Sequence, residues 1–351
     1  MRYISRVPTS LAINCHVLVL LLDLSLLQRD AYMIQFLLKR LIGLLFVLIC
    51  VTFITFIMGY LAPGDPIHSM MGQHFNEKLY LQLKHLYGLD LPWYQQYFNF
   101  LVHILHFDFG YSYRQQQIPV ISIITINLPI TLELGFWALL LQFLIGVPLG
   151  ILCAIKANTW IDTANMGAAL LAYSIPGFVL AVFVRFAIAQ IDQATGASWP
   201  PTGWGNSWQY TWPDIQAKLA PILVFAFGGS TYIARLVRTS MLEVLQQDYI
   251  RTARAKGLQE SIVIYRHALR NALMPLVTTF GYSLGFIVTG AFFIENIFNI
   301  PGLGSITVTS VSTRDYPVIQ ATVILLTVAI VLGNLLSDIL YMFIDPRIKA
   351  E

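Results

Sequence analysis

Residues 248–275 read DYIRTARAKGLQESIVIYRHALRNALMP. Asp248 is predicted to cap a helix that begins at Tyr249, because a carboxylate accepts hydrogen bonds from the free N–H groups of a first helical turn. Gly257 is predicted to end that helix, since glycine adopts a left-handed backbone at little cost. A second short helix is predicted over 260–270. An ordered, charged helix pair between two apolar runs indicates a docking site for a soluble partner.

The first of these helices is predicted to have two different sides. Ile250, Ala253 and Ala255 supply an apolar side of small area, and Arg251 and Arg254 project elsewhere. The alternative is a basic loop that only follows the positive-inside rule. That alternative explains the charges but not the helix–glycine–helix pattern.

The composition around this segment places the chain in a bilayer. Hydrophobic residues make up 57% of the 351 residues and charged residues 11%, against about 45–50% and about 25% in soluble domains. A net charge of +3 is too small to indicate a nucleic-acid partner. Cys15, Cys50 and Cys153 lie in or beside apolar runs without a CxxC pair, and are predicted to be small apolar groups within the membrane.

A helix needs about 20 residues to cross the hydrocarbon core. The sequence contains six uncharged runs, of which all but 219–234 reach that length. They cover residues 41–62, 134–155, 163–184, 219–234, 271–294 and 316–337. The sequence therefore predicts an all-α, polytopic membrane protein with six transmembrane helices.

The distribution of Lys and Arg predicts the orientation. Basic residues precede the first run, follow the sixth, and crowd the segment between the fourth and fifth; these are Lys39, Arg40, Arg235, Arg238, Arg251, Arg254, Lys256, Arg266, Arg270, Arg347 and Lys349. The long segment at 63–127 holds only Lys78, Lys84 and Arg114. Both ends of the six-span core are therefore expected in the cytoplasm.

Two segments lie outside this simple pattern. The loop at 192–215 carries Trp199, Trp204, Trp208 and Trp212, which are expected to form an aromatic belt or an external lid. Residues 1–32 contain a short apolar stretch with basic flanks. They are expected to be a seventh span, an interfacial helix or the product of an upstream start codon, with Met33 opening the core. A cleaved signal peptide is not expected, because no small-residue cleavage site follows the apolar stretch.

The sequence gives no basis for catalysis or metal binding by this chain. It contains no Gly-x-x-x-x-Gly-Lys-Ser/Thr phosphate loop and no His-Glu-x-x-His motif. His103 and His106 could share a helix face, but a solvated or aromatic-packed pair is favoured over a metal site. We therefore predict no catalytic residue, no metal site and no cofactor bound by this chain.

The basic segment is similar to the "EAA…G" loop of permease subunits of binding-protein-dependent ABC importers. The resemblance is strongest to the dipeptide/oligopeptide (peptide/nickel) branch, through DYIRTARAKGL at 248–258 and HALRNALMP at 267–275. Further matching motifs run through the chain from about Met33 to Lys349; they are LAPGDP at 61–66, YGLDLP at 87–92, DFGYS at 108–112, LPITLE at 128–133, PGLG at 301–304, RDYP at 314–317 and DPR at 345–347. The leading Glu of the generic motif is Arg251 here and its first Ala is Thr252, and residues 1–32 and 199–212 lie outside the common pattern.

The resemblance implies the type I ABC importer permease fold, with a cytoplasmic coupling helix between spans 4 and 5 that fits a groove on a separate ATPase subunit. The implied division is an N-terminal extension at 1–32, a first transmembrane helix with an external segment at 33–127, a permease domain at 128–344 and a cytoplasmic tail at 345–351. The residues it implies for coupling are Asp248, Tyr249, Arg251, Thr252, Ala253, Arg254, Ala255, Lys256 and Gly257.

The function implied is a non-catalytic permease of the bacterial inner membrane that forms a path for dipeptides or oligopeptides. The implied partners are ATPase subunits that hold ATP and Mg²⁺, a second homologous permease that makes a heterodimer, and an external substrate-binding protein. Nickel, glutathione or another small solute remain alternative cargoes. An ion-coupled secondary transporter is a distant alternative, which would require inverted repeats that the sequence does not show.

Charged residues near the ends of the runs are candidates for a pore or gate, because charges within spans are expensive and commonly functional. Glu133 and Glu295 are expected near the outer ends of spans 2 and 5, with solvated, snorkelling carboxylates as the alternative. Arg185 is expected to meet a peptide carboxylate or to pair with a neighbouring acid, with snorkelling or a structural pair as the alternative. Two pairs spaced four residues apart, Gly146/Gly150 and Gly281/Gly285, predict close helix packing at a candidate subunit interface.

Overall fold

A computed structural model describes residues 35, 38–62, 65–71, 76–115, 118–196 and 199–344. The chain divides into a unit of residues 1–50 with 345–351 and a unit of residues 51–344. The hypotheses for residues 1–32 and for the tail at 345–351 fall outside the described residues. The domain division drawn from the sequence stays a prediction.

Every regular element of the described residues is helical, apart from an isolated bridge between Tyr111 and Pro119. The helices are α1 (Leu38–Leu61), α2 (Pro66–Met71), α3 (Glu77–Leu86), α4 (Trp93–Leu105), α5 (Val120–Ile155), α6 (Trp160–Ser174), α7 (Gly177–Thr195), α8 (Trp212–Leu245), α9 (Asp248–Ala255), α10 (Glu260–Ile262), α11 (Leu269–Ala272), α12 (Met274–Phe298), α13 (Leu303–Thr313) and α14 (Tyr316–Ile344). A π-helical stretch, Val263–Ala268, joins α10 to α11.

Among the described residues, the helices long and apolar enough to cross a membrane are α1, α5, α7, α8 and α14. A sixth span is counted if the end of α12 and helix α13 are taken as one span bent by 79°. A membrane-spanning, all-helical architecture is therefore present, as the sequence predicts. The fifth predicted run, 271–294, corresponds to α12.

The prediction for the third span, 163–184, is wrong in its boundaries. That run crosses a break in which Ile175 is extended and Pro176 precedes the next helix. A proline disfavours the helical backbone of the residue before it and cannot donate a hydrogen bond to the preceding turn. The span long enough to cross is Gly177–Thr195, and α6 is a separate helix.

Glycines bring the two longest helices, α5 and α8, into close contact. A Cβ atom on Gly146 would lie 2.7 Å from the Ser230 carbonyl oxygen, and one on Gly150 would lie 2.5 Å from the Ala234 carbonyl oxygen. Gly281 faces Ser337 of α14 in the same way. The prediction of close packing is confirmed, but these glycine faces pack within the chain and not at a subunit interface.

The segment before α5 is tied to the loop before α14. Ser112 Oγ and the Tyr113 backbone N–H both donate to the buried Asp315 carboxylate. One carboxylate thereby joins the DFGYS and RDYP motifs, which are about 200 residues apart in the sequence.

Candidate functional site

Helix α9 begins one residue earlier than the sequence predicts. Gln247 is the extended residue before it, and its carbonyl accepts the N–H groups of Ile250 and Arg251. The predicted cap at Asp248 is therefore wrong, because α8 ends so close that the chain turns at Gln247. Asp248 lies in the first turn, where its charge still favours the helix dipole.

The end of α9 is as predicted. Gly257 has φ +74°, and its N–H donates to the Arg254 carbonyl oxygen at 2.9 Å. The Leu258 N–H reaches back to the Ala253 carbonyl oxygen at 3.4 Å. A left-handed residue after the last turn satisfies carbonyls that the helix leaves open, and glycine adopts that backbone without strain.

The apolar side of α9 packs on the chain itself. Ile250 is fully buried and Ala253 is 8% exposed, in a cluster that also contains Val237 and Met241 of α8 and Val263 of the π-helical stretch. The expectation that this side enters a partner's groove is therefore wrong for Ile250 and Ala253, which the chain's own core covers, whereas Ala255 is exposed.

The opposite side of α9 is open and basic, and we call it the outer face of α9. Its exposed residues are Asp248, Tyr249, Arg251, Thr252, Arg254, Ala255 and, just after the helix, Lys256. A partner at this helix would therefore contact hydroxyls, a small methyl group, three positive charges and the Asp248 carboxylate.

The segment after α9 holds the helix in place. Glu260 accepts hydrogen bonds from Arg254 Nε at 3.2 Å and Nη2 at 2.7 Å, and Asn271 Nδ2 donates to the Tyr249 hydroxyl at 2.7 Å. The Arg254 guanidinium keeps the pKa of Glu260 below its ordinary value. The second predicted helix, 260–270, is present as a helical stretch with a π-helical middle.

The structure excludes the alternative of a solvated carboxylate at Glu133. This carboxylate is fully buried, and its Oε1 lies 2.7 Å from Lys218 Nζ. Its Oε2 accepts the indole N–H of Trp204 at 3.0 Å and the backbone N–H of Trp208 at 2.8 Å. Lys218 Nζ also donates to the carbonyl oxygens of Asn206 and Gln209. A buried ion pair with its remaining hydrogen bonds made is a structural anchor.

We call residues 199–211 the tryptophan loop. Trp204 is 1% exposed and belongs to the core, so it is neither a belt residue nor part of an open lid. Trp208 and Trp212, the first residue of α8, are exposed. Glu133 and Lys218 therefore fix this loop to α5 and α8.

Glu295 is likewise buried and not solvated. It accepts from Thr131 Oγ1 at 2.6 Å and from the Ser305 backbone N–H at 2.9 Å, at the start of α13. A Cβ atom on Gly302 would collide with the same carboxylate. Glu295 thus satisfies free N–H groups of α13 across the bend after α12.

Arg185 forms a structural pair, one of the roles considered for it. Its Nη1 donates to the Ile297 carbonyl oxygen at 2.5 Å, in the last turn of α12. A cation at a helix C-terminus complements the helix dipole.

A cavity of about 890 Å³ lies among α5, α6, α7, α8 and α12. Its lining residues are Gly135, Ala138, Leu139, Gln142, Ala172, Ile175, Pro176, Gly177, Phe178, Leu180, Val224, Phe225, Phe227, Gly228, Gly229, Tyr232, Ile233, Thr279, Ser283, Phe293 and Ile294. Glu133, Arg185 and Glu295 are not among them. The break at Ile175 and Pro176 contributes directly to the wall, and we call this space the central cavity.

Sequence reasoning missed Lys218 and Gln142. Lys218 is the residue just before the uncharged run at 219–234, so a search for uncharged runs excluded it. A lysine so close to an apolar run is a usable signal, because it needs a counter-charge nearby. Gln142 carries no charge, and its position in the cavity depends on packing that no local pattern contains. The part of the chain that the structure describes holds no cluster of three or more His, Cys, Asp or Glu suited to a metal ion.

Comparison with known families decides the class. Residues 146–350 match the family model of the binding-protein-dependent transport system inner membrane component, and residues 33–135 match the model of the N-terminal part of such membrane components. The chain belongs to this family. Its members are non-catalytic membrane subunits of ABC importers that work with separate ATPase subunits. The chain is accordingly a permease subunit of the bacterial inner membrane and not an ion-coupled transporter.

Curated relatives match over almost their whole length. The dipeptide transport system permease protein of Bacillus subtilis is 38% identical, over 91% of this chain and 99% of the relative. The glutathione transport system permease protein of Salmonella choleraesuis is 36% identical, over 91% of this chain and all of the relative. The corresponding dipeptide permease of Escherichia coli K12 is also 36% identical, over 91% and 100%.

A solved structure shows the same fold. A chain of the MetNI methionine ABC transporter, in an inward-facing conformation, aligns with a TM-score of 0.51. The alignment covers 64% of this chain and 97% of that chain at 20% sequence identity. The predicted permease fold is thereby confirmed.

Proposed function

We propose that this permease imports short peptides, delivered by an external substrate-binding protein, through a path that includes the central cavity. The similarity to dipeptide permeases over more than nine-tenths of the chain supports this cargo. The glutathione permeases are similar to a comparable extent, so glutathione is the second candidate. Nickel remains an alternative from the wider branch.

We also propose that the outer face of α9 is the surface that meets the ATPase. The observation that carries this proposal is the division of α9 into two sides. Ile250 and Ala253 join the helix to the core of α5 and α8, and Arg251 and Thr252 point away from it. A helix held in this way moves with the spans when a partner pushes on its free side.

ATP and Mg²⁺ would be held entirely by the partner ATPase subunits. Closure of the ATPases would displace α9, and the packed helices would convert that displacement into alternating access. A second, homologous permease would complete the path as a heterodimer. This arrangement requires α9 and both ends of the six-span core to lie in the cytoplasm.

The candidate gate residues take a different role in this proposal. Glu133, Glu295 and Arg185 would shape the external end of the path by holding the tryptophan loop and the α12–α13 bend. Cargo would pass them without forming an ion pair.

Replacement of Gly257 tests the coupling proposal. A non-glycine residue in the left-handed region costs about 1–2 kcal/mol, and nothing lies within 4 Å of a Cβ atom there. We expect Gly257→Leu to abolish uptake and to uncouple the ATPase while membrane insertion stays normal. Gly257→Asn should retain most uptake, because asparagine tolerates this backbone. Normal uptake by the leucine variant would overturn the coupling role.

A further inference from the structure

The central cavity is lined without an acidic or basic side chain among the described residues. Its polar groups come from three helices: Gln142 of α5, Tyr232 of α8, and Thr279 and Ser283 of α12. The rest of the lining is glycine, proline, alanine, branched aliphatic residues and phenylalanine. Its volume of about 890 Å³ falls within the range of about 300–1,000 Å³ for pockets that hold small ligands.

Gln142, Tyr232 and Ser283 line the cavity with side chains that make no hydrogen bond to a described residue, and of these only Gln142 carries a separate donor and acceptor that can bind one ligand together. Its carboxamide makes no hydrogen bond to any described residue, whereas the Thr279 hydroxyl already donates to the Pro275 carbonyl oxygen. The space for the carboxamide exists because residue 229 is glycine. A Cβ atom at Gly229 would collide with Gln142 Oε1 and would lie 2.7 Å from Cδ.

The cavity lies at the middle depth of the long helices. Gln142 is in the central third of α5, Val120–Ile155, and Gly229 is at the centre of α8, Trp212–Leu245. Polar groups without partners are costly at that depth. A cargo that supplies matching hydrogen bonds offsets this cost during passage.

The chemistry of the lining selects among the candidate cargoes. A carboxamide carries an acceptor oxygen and an NH₂ donor, and a peptide bond carries one N–H donor and one C=O acceptor. The two groups can therefore pair in both directions. Each ionised group of a cargo is costly at low dielectric without a counter-charge, so ionised side chains add a further cost to that of the charged termini which every short peptide carries. Glutathione is a net anion at neutral pH, and nickel finds no carboxylate, imidazole or thiolate in this wall.

We infer that the central cavity recognises the peptide bond of short peptides without net charge, and that Gln142 is a specificity-determining residue for them. This inference rests on the proposed import of peptides and narrows it to one cargo class. Phe178, Phe225 and Phe293 supply the apolar surface that uncharged peptide side chains would contact.

The test uses the complete transporter in proteoliposomes, with saturating binding protein and labelled alanyl-phenylalanine as the probe. Loss of one hydrogen bond to a buried polar group costs about 1–3 kcal/mol. A difference of about 1.4 kcal/mol corresponds to a tenfold change in an equilibrium constant. We expect Gln142→Leu to lower the maximal uptake rate by about tenfold. Gln190→Leu is the matched control, because Gln190 is exposed on α7 and does not line the cavity.

Two further variants keep the test independent of protein stability. Gly229→Ala should lower uptake as Gln142→Leu does, because it displaces the carboxamide without removing it. Gly167→Ala, at a helical glycine with nothing within 4 Å, is its control. Gln142→Lys should raise the uptake of glutamyl-glutamate relative to alanyl-phenylalanine, since the ammonium supplies a counter-charge.

Wild-type uptake rates in Gln142→Leu and Gly229→Ala, with an unchanged cargo ratio in Gln142→Lys, would overturn the inference and leave peptide import intact. A wild-type transporter that moves no peptide would contradict the proposed function and, with it, this inference. The two failures are therefore distinguishable in one assay.

Discussion

The charged residues that hold the tryptophan loop differ from those of α9 in how far they are buried. We refer to these two regions as the tryptophan-loop end and the α9 end. Glu133 and Lys218 are 0% and 3% exposed at their side chains, and their hydrogen bonds are made within the chain. At the other end, the Arg251 side chain is 71% exposed and its contact with Asp248 is long, at 3.4 Å. Both regions contain charged residues beside membrane spans, but only the tryptophan loop has a buried ion pair, whereas the Arg254–Glu260 pair beside α9 is about half exposed.

This difference assigns different roles to similar residues. A buried charge with a buried partner contributes to the structure when intact and is very costly when broken. An exposed charge contributes little to folding, so it can be replaced with little loss of stability and is free to interact with a partner. We therefore expect mutations at the tryptophan-loop end to act on stability and mutations at the α9 end to act on coupling.

The largest effect on stability is expected for Lys218→Met. This change leaves the Glu133 carboxylate buried without its counter-charge, and breaking such a pair costs about 3–5 kcal/mol. The thermal unfolding temperature of the purified protein in detergent should fall strongly. Lys78→Met, at an exposed residue of α3, should leave it unchanged.

The double variant Lys218→Met with Glu133→Leu sharpens this test. Replacing both members of a buried pair by apolar residues is often close to neutral, so much of the lost stability should return. A Lys218→Met protein as stable as wild type would show that the ion pair is not an anchor.

An intermediate effect is expected for Gly302→Ala. The added Cβ atom would collide with the buried Glu295 carboxylate at the α12–α13 bend, and overpacking costs about 1–3 kcal/mol. Gly43→Ala is the control, because nothing lies within 4 Å of its Cβ position. Equal unfolding temperatures for both variants would show that the Glu295 carboxylate is not closely packed against Gly302.

The sequence predicted the class of the fold well, because long uncharged runs have few alternatives to membrane helices. It also predicted the end of α9, since Gly257 determines that end through its own backbone. The boundaries of the third span failed at Pro176, where a local backbone constraint overrides continuous hydropathy.

The roles of Glu133 and Glu295 could not be predicted because their partners are distant in the chain. Trp204 and Lys218 lie 71 and 85 residues from Glu133, and Ser305 reaches Glu295 across a 79° bend. The central cavity likewise depends on how five helices pack. The inward orientation of Ile250 was missed because a helical pattern does not say which neighbour covers its apolar side.

A small effect on stability with a large effect on function is expected for Arg251→Ala. Surface substitutions usually change stability by no more than about 0.5 kcal/mol, so the unfolding temperature should stay near that of the wild type. Peptide uptake and peptide-stimulated ATPase activity of the assembled transporter should both fall. Lys78→Ala, at an exposed residue of α3, should leave both activities unchanged. An Arg251→Ala variant with a lowered unfolding temperature but normal uptake and ATPase activity would contradict the role assigned to the α9 end.

The smallest effect is expected from pH at the Arg254–Glu260 pair. The hydrogen bond with Arg254 lowers the pKa of Glu260, so the pair's contribution is present above the ordinary glutamate pKa. That contribution is lost as the pH falls through the lowered value. Glu260→Gln should therefore differ slightly from wild type at neutral pH and converge with it in acid, as measured by thermal unfolding across pH. A difference in unfolding temperature between Glu260→Gln and wild type that grows as the pH falls would contradict this prediction.

The central claim is that the outer face of α9, and not its inner face, meets the ATPase. Cysteine crosslinking in the assembled transporter tests this directly, with Ala255→Cys on the exposed face and Ala253→Cys on the buried face. We expect Ala255→Cys to form a crosslink to the ATPase subunit whose yield changes on ATP binding, and Ala253→Cys to form none. A crosslink from residue 253 alone, or from neither position, would contradict the claim.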